Sequence, residues 1–196
     1  MLISVSRVLC LMCVVIIAAS CANTAPRQTF PEITFHHLSP IEMAISTITI
    51  DDQYVPPLTV PNAEHRMPIA PQMVLNRWPG DRIAATNGDA TATFTIVRAE
   101  VLEQALDIDG NITAIFTNEQ ALRYDASVEA VFEVQSNDGL SQGQATARAS
   151  RSITVPENAT LNEREQAQFT LVENTMREFD TQMELNIRKH LGHWLP

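Results

Sequence analysis

The 196-residue chain is predicted to fold as an α+β domain. We expect an antiparallel-rich sheet of about four strands, with a short helix and a long C-terminal helix packed on one face. Two patterns support this prediction. Apolar and polar residues alternate over 124–134, which is typical of a strand with one buried face. Apolar residues instead recur at steps of three and four over 169–194, as in an amphipathic helix.

The N-terminal half of the domain is predicted to hold one strand and one short helix. Residues 44–50 (A-I-S-T-I-T-I) are rich in β-branched side chains, which favours a strand. Repeated prolines from Pro56 to Pro71 predict a long extended loop. Pro71 is suited to the first turn of a helix, and Pro79-Gly80 is expected to kink or split that helix. The apolar contacts of the helix are predicted to be Val74, Leu75, Trp78 and Ile83.

Three further strands are predicted to form an antiparallel group. The first carries Ala92, Phe94 and Ile96 on one face and threonines on the other, and an Asp109-Gly110 turn follows it. The second covers 124–134 and ends at an Asn137-Asp138-Gly139 turn. The return strand covers 144–155, and Pro156 ends it. Its inward side chains are Ala145, Ala147, Ala149, Ile153 and Val155. The small alanines predict the close approach of a helix.

The C-terminal helix has clear signals at both ends. Thr160 and Glu163 fit a capping box, in which the hydroxyl accepts a free N–H and the glutamate reaches back. Gly192 is expected to end the helix. The apolar stripe consists of Phe169, Val172, Met176, Phe179, Met183, Ile187, Leu191 and Trp194. A stripe this regular predicts packing on the chain's own sheet.

The first 21 residues have the layout of a secretory signal peptide. Arg7 supplies one positive charge, and an apolar run follows over 8–19. That run is shorter than the roughly 20 apolar residues that a membrane-spanning helix needs. Small residues then lead into Cys21, which resembles the lipobox of bacterial lipoproteins. In that family the signal is removed and the new N-terminal cysteine carries the lipid. Cleavage by an ordinary signal peptidase near Ser20 is the alternative.

The chain is therefore predicted to divide into three parts. Residues 1–20 are the signal peptide. Residues 21–40, polar and interrupted by three prolines, are the lipidated N terminus and a flexible tether. Residues 41–196 form a single α+β periplasmic domain. Cys10 and Cys13 lie in the removed run, so the processed chain keeps only Cys21 and has no disulfide and no cysteine metal site.

The charge of the chain limits its partners. The net charge is −10, and Lys189 is the only lysine. Nucleic-acid binding needs clustered Arg and Lys, so a nucleic-acid partner is not expected. An anionic membrane surface would also repel the chain. Membrane attachment must then come from the N-terminal lipid, and stable anchoring needs more than one acyl chain.

No catalytic, cofactor or metal motif is evident in the sequence. G-x-S-x-G, a phosphate loop and G-x-G-x-x-G are all missing. The pairs His36-His37 and His190/His193 lack a carboxylate at ligand spacing, and a metal site needs several convergent ligands. Asp107-x-Asp109-Gly110 departs from a calcium loop at its sixth and twelfth positions. We therefore expect no catalytic residue, no cofactor and no metal ligand.

Four residues are candidates for docking a protein partner. Trp78 and Arg82 belong to the segment R-W-P-G-D-R, and Trp and Arg are favoured at interface hot spots. The alternative for Trp78 is a core position. Arg148 and Arg151 lie near the predicted corner between the last strand and the C-terminal helix. Their alternative is a structural ion-pair cluster.

Three segments resemble the sequences of alphaproteobacterial envelope lipoproteins: R-W-P-G-D-R at 77–82, F-T-N-E-Q-A-L-R-Y-D at 116–125, and R-S-I-T-V-P-E-N-A-T-L-N-E-R-E at 151–165. The element order is similar to that of LPS-assembly and ABC-transport auxiliary lipoproteins. Those families act by binding partners. The resemblance implies a lipid-anchored accessory protein of an envelope transport or assembly system, with an envelope protein as its partner. Because Ala22 rather than Asp follows the cysteine, it implies the periplasmic face of the outer membrane.

Three alternative functions stay open at this point. One is a periplasmic lipid or small-molecule binding protein that uses the apolar loop 55–69. Another is a purely structural envelope lipoprotein. The third is an enzyme whose site the sequence does not reveal, for which a cleft with a strongly perturbed titratable group would be evidence.

Overall fold

The computed structural model describes residues 28–106 and 120–196. Cys21 and the predicted Asp109-Gly110 turn lie outside these residues. The described elements, in chain order, are β1 (Ile41–Met43), β2 (Thr47–Asp52), α1 (Pro71–Arg82), β3 (Ile83–Ala85), β4 (Ala90–Ala105), β5 (Gln120–Ser136), β6 (Gln142–Pro156) and α2 (Leu161–His190). Short 3-10 turns occupy Glu64–Arg66 and Gly192–Trp194. The predicted α+β class is confirmed.

The main sheet has four strands in the order β2-β4-β5-β6. β4, β5 and β6 are antiparallel, as predicted, and the turn at Gly139 has the positive φ of 72° that glycine favours. β2 joins the edge of β4 in parallel, because the chain between them includes α1 and returns in the same direction. A second, two-stranded parallel sheet pairs β1 with β3.

Both helices pack on one face of the main sheet, which we call the helix face. α2 lies mainly over β6 and β5, and α1 lies over β4. Alternate residues of β5 from Tyr124 to Val134 are all buried on this face. The alanines of β6 are buried under α2, as their small size predicts. At the centre Trp78 stacks on Phe94 at 5.4 Å between ring centroids and meets Phe179 edge-on at 5.8 Å.

The C-terminal helix forms as the sequence predicts. Thr160 and Glu163 make both hydrogen bonds of the capping box. Every residue of the predicted apolar stripe is buried, including Leu191 and Trp194 beyond the last turn. Within the described residues, no helix is long and apolar enough to cross a membrane.

Two local predictions in the N-terminal half are wrong in part. Residues 44–50 do not form one strand, because the chain bends between β1 and β2, where the Ala44 N–H donates to the Trp194 carbonyl at 2.8 Å. The helix α1 is not split at Pro79-Gly80 but continues to Arg82. Its last turn is held in place because Trp78 and Arg82 are both bound to α2.

The predicted flexible tether is also wrong for most of the segment that the structure describes. Ile33 and Phe35 are buried in the core, at 8% and 4% exposure. Phe30 stacks on Phe169 of α2, with ring centroids 5.1 Å apart. We call residues 28–39 the N-terminal segment. It packs along α2, so the folded domain begins before residue 41, and any free linker to Cys21 is shorter than predicted.

Candidate functional site

A buried ion-pair cluster joins the two helices. Arg82 is 1% exposed, and its Nε donates to Oδ1 of Asp180 at 2.6 Å. Its other nitrogens donate to a carboxylate oxygen of Glu184 and to the carbonyl of Ser39. Trp78 Nε1 donates to the same Asp180 oxygen at 2.9 Å. Three N–H groups, two of Arg82 and one of Trp78, thus donate to the carboxylates of Asp180 and Glu184. These hydrogen bonds compensate the cost of removing the charges from water.

This arrangement corrects two of the docking predictions. Trp78 is fully buried and Arg82 nearly so, which means that neither side chain is available on the surface of the described domain. Trp78 is a core residue, the alternative that its apolar neighbours also suggested. The R-W-P-G-D-R segment therefore acts inside the fold, where it connects α1 with α2 and with the N-terminal segment.

The next residue of that motif, Asp81, holds the N-terminal segment. Its Oδ2 accepts the backbone N–H of Phe35 at 2.9 Å, and its Oδ1 lies 3.1 Å from Nε2 of His36. Arg77 donates to the carbonyl of Ile33 at 3.2 Å. Asp81 is 8% exposed, so its carboxylate is satisfied from within the protein. Position 81 was not a sequence candidate. Its only signal is its place beside Arg82 at the end of a short helix.

A groove of about 630 Å³ lies between the N-terminal segment and α2, and we call it the segment groove. Its apolar lining includes Ile33, Leu38, Phe169 and Leu185. Leu185 is 55% exposed and offers apolar surface on the α2 wall of the groove. The polar lining is Glu32, Thr34, His37, Glu173, Arg177, Asp180, Thr181, Glu184 and Arg188.

The charged groups at the segment groove are mostly paired with each other. Arg188 donates twice to Oε1 of Glu184, at 2.8 and 3.0 Å, one helical turn away. Arg177 lies 3.6 Å from Glu173 in the same way. An apolar floor bordered by paired charges suits an amphiphilic molecule better than a small ion. The volume is within the range of roughly 300–1,000 Å³ that is typical of ligand pockets.

A second groove lies on the other side of α2, beside β6, and we call it the β6 groove. Its volume is about 710 Å³, and its lining is mainly polar. Arg151 contributes to it and pairs with Glu178 of α2, with Nε 2.6 Å from Oε2. The side chain of Arg151 is 56% exposed despite this pairing.

The two arginines of β6 do not form one cluster. Arg148 projects from the opposite, open face of the sheet, where its Nη2 donates to Oε1 of Glu129 at 2.7 Å. This hydrogen bond lowers the pKa of Glu129 and raises that of Arg148. Both arginines remain largely exposed, which is compatible with the predicted docking role. The predicted corner cluster is wrong, because successive strand residues alternate between faces.

A strongly perturbed titratable group lies outside both grooves. Burial, and then the neighbouring Glu64 carboxylate, raises the pKa of Tyr54 well above its usual range. The Tyr54 hydroxyl donates to Oε1 of Glu64 at 3.2 Å, and Oε2 of the same carboxylate accepts the Val101 N–H at 3.3 Å. Glu64 is 2% exposed. These contacts connect the loop after β2 to β4, which is a structural role.

The apolar loop 55–69 lines neither groove. Val55 and Val60 are 81% and 87% exposed, and Leu58 is also exposed. The predicted lipid site at this loop therefore does not coincide with either groove. Among residues 28–106 and 120–196, no group of three or more His, Cys, Asp or Glu side chains is arranged to hold a metal ion.

No protein-family model matches this chain, and no curated protein matches it significantly.

Proposed function

We propose that this chain is a non-catalytic binding protein, anchored through a lipid on Cys21 at the periplasmic face of the outer membrane. It serves as an accessory of an envelope transport or assembly system and holds a partner or an amphiphilic ligand near the membrane. One observation carries the proposal: residues 31–38, which begin ten positions after Cys21, form a wall of the segment groove. The anchor and the candidate binding site are therefore joined without a long linker.

The reach of the anchor supports this arrangement. Gln28 contacts Gln166 of α2 through a side-chain hydrogen bond of 3.0 Å. Seven residue steps separate Cys21 from Gln28. A fully extended chain covers at most about 3.6 Å per residue, which limits this distance to about 25 Å. A ligand in the segment groove would thus remain within a short distance of the lipid headgroups.

The lining of the segment groove supports an amphiphile as its ligand. Leu38, Phe169 and Leu185 offer apolar surface to an acyl chain, and Arg177 and Arg188 border it. Ligand sites commonly combine a mainly apolar lining with a few polar groups that fix orientation. The ion-pair cluster at Arg82 stabilises both walls, since its partners come from the N-terminal segment and from α2.

The experiment that tests the proposal is the substitution Cys21→Ser in the native host. We expect the mature domain to leave the outer-membrane fraction or to remain unprocessed, because it has no site for the lipid. Cys13→Ser is the matched control, since it removes a cysteine of the signal run and leaves the lipobox intact. Normal outer-membrane fractionation and unchanged mobility of Cys21→Ser would contradict the anchor.

Native mass spectrometry of the purified protein then tests the groove, and a protein free of bound amphiphile would count against a ligand there.

A further inference from the structure

We propose that the outer edge of β6 binds an extended, acidic strand of a partner protein by β-strand addition. The inference deepens the proposed binding function by naming the chemistry of its partner. It does not depend on the lipid or on the segment groove. Three features suit β6 to this role: its position in the sheet, its charge, and the β6 groove beside it.

β6 is an edge strand of unusual length. It has 15 residues and pairs with β5, and it has no second neighbouring strand among the residues that the structure describes. Strands in globular proteins are usually 3–10 residues long, and long open edges attract further strands. Nδ2 of Asn186 donates to the Thr146 carbonyl at 2.7 Å, which places that carbonyl on the side away from β5 and already occupies it, so an added strand pairs with the edge beyond Thr146. By the alternation of the backbone, the N–H and C=O groups of Arg148 and Ser150 face the same way.

The charge of β6 selects an acidic partner strand. The strand carries Arg148 and Arg151 and no acidic residue, although the whole chain has a net charge of −10. The two arginines lie on opposite faces, so an added strand meets one positive charge on each side. Opposite charges on neighbouring strands stabilise the pair, and like charges destabilise it.

The β6 groove provides space for the side chains of such a strand. An added strand lies about 4.8 Å from β6, and alternate side chains then point toward the helix face. On that side they enter the groove between β6 and α2. Its cations are Arg151 and Arg177, its one carboxylate is Glu178, which pairs with Arg151, and Asn174 and Gln182 supply amide groups. Strand addition of this type takes affinity from main-chain hydrogen bonds and specificity from pockets for alternate side chains.

A second copy of this chain is a poorer occupant. Two antiparallel β6 strands would bring two copies each of Arg148 and Arg151 to one seam, where like charges repel. An acidic strand instead shares these arginines with Glu129 and Glu178, which already pair with them.

The test uses the full processed protein, purified in detergent, and a synthetic Thr-rich peptide with two Glu residues three positions apart, so that one Glu lies on each face of the added strand. We expect saturable binding by fluorescence anisotropy that weakens with salt. Two peptides serve as controls: one with Lys in place of Glu, and one with alternate backbone nitrogens methylated. Each should bind weaker by about tenfold or more, because the first loses the charge pairing and the second the main-chain hydrogen bonds.

Protein variants locate the site. Ser150→Pro removes an outward N–H, and the double variant Arg148→Glu, Arg151→Glu reverses the charge of the edge. Both variants should lose binding of the Glu peptide, and the double variant should gain binding of the Lys peptide. Arg66→Glu is the matched control and should bind normally, since Arg66 is 48% exposed and pairs with Glu103 of β4 rather than with a residue of β5 or β6. Thermal unfolding checks that each variant folds. If Ser150→Pro does not fold, the double variant still tests the site.

Three results would overturn the inference. The first is equal binding of the methylated peptide, which would mean that the backbone edge is not used. The second is unchanged binding by the charge-reversed variant. The third is a protein dimer that Ser150→Pro abolishes, which would assign the edge to a second copy. Fractionation of Cys21→Ser reports on the anchor alone, so failure of that proposal is distinguishable from failure of this one.

Discussion

Arg82 is a nearly fully buried cation whose polar partners come from two distant parts of the chain. Ser39 belongs to the N-terminal segment, and Asp180 and Glu184 belong to α2. The planar guanidinium is suited to this role because its donors are fixed in a fork and its positive charge is permanent. One side chain thus connects three elements that are far apart in sequence, and its loss should be felt across the molecule.

The first prediction concerns this side chain. Arg82→Ala leaves the buried Asp180 carboxylate without its main counter-charge, which typically costs about 3–5 kcal/mol of unfolding free energy. Arg188→Ala is the matched control, because Arg188 pairs with the same Glu184 but is 56% exposed. Its loss should cost less than about 1 kcal/mol, as for other surface ion pairs. Urea unfolding of the two variants measures both, and equal losses of stability would contradict the role of burial.

Trp78 and Arg82 stand out in the sequence, but the sequence alone left open whether Trp78 is a docking or a core residue, and it placed Arg82 among the docking candidates. Tryptophan and arginine are enriched at interfaces, and both also occur in cores when their N–H groups find partners. The partner that decides between these outcomes is Asp180, which lies 98 residues from Arg82. No local pattern reports a contact at that separation, so only the folded chain distinguishes a docking residue from a buried one.

At the scale of elements, local signals were reliable where one segment contains all the necessary residues. The capping box of α2 needs only Thr160 and Glu163, and it forms as predicted. Buried and exposed residues alternate along β5 as expected, because the alternation of apolar and polar residues is contained in the strand's own sequence. Residues 44–50 were misjudged because the bend between β1 and β2 depends on Trp194, at the far end of the chain.

The second prediction concerns the turn between β3 and β4. A Cβ at Gly88 would overlap the backbone carbonyl of Ala44, so this position needs glycine for close approach of two chain segments. Gly88→Ala should destabilise the protein by about 1–3 kcal/mol, the range for overpacking, because a backbone atom cannot move aside as a flexible side chain does.

Gly80 is the matched control for Gly88. A Cβ at Gly80 meets nothing within 4 Å, and the residue lies within α1. Gly80→Ala should therefore stabilise the protein by about 0.5–1 kcal/mol, since alanine has the higher helix propensity. Thermal unfolding of the two variants should give midpoint shifts of opposite sign, and shifts of the same sign would refute this reading.

At the scale of the whole molecule, the N-terminal segment is part of the folded domain. Its burial brings the start of the domain close to Cys21 and makes it one wall of the segment groove. The proposed anchor at Cys21 would therefore restrict not only where the domain lies but also how the groove is presented to the membrane. This arrangement is the physical basis of the proposed function.

The third prediction tests how this segment is held. Asp81→Ala removes the carboxylate that accepts the Phe35 N–H, so hydrogen exchange at that amide should become about tenfold faster or more. Glu32→Ala is the control, because Glu32 is 74% exposed and pairs only at the surface with Arg77. Exchange rates read by NMR or mass spectrometry check the result. Unchanged protection in Asp81→Ala would mean that apolar packing alone holds the segment.

The sequence by itself determined the α+β class, the antiparallel hairpins and the buried stripe of α2. These follow from the periodicity of neighbouring residues, because side chains repeat every two residues in a strand and about every 3.6 in a helix. It also gave the basis for the proposed lipid anchor at Cys21. The tertiary structure decided which charged residues are buried, where the N-terminal segment lies and which edge and grooves are open. Those features depend on contacts between segments as far apart as Arg82 and Asp180, which no periodicity encodes.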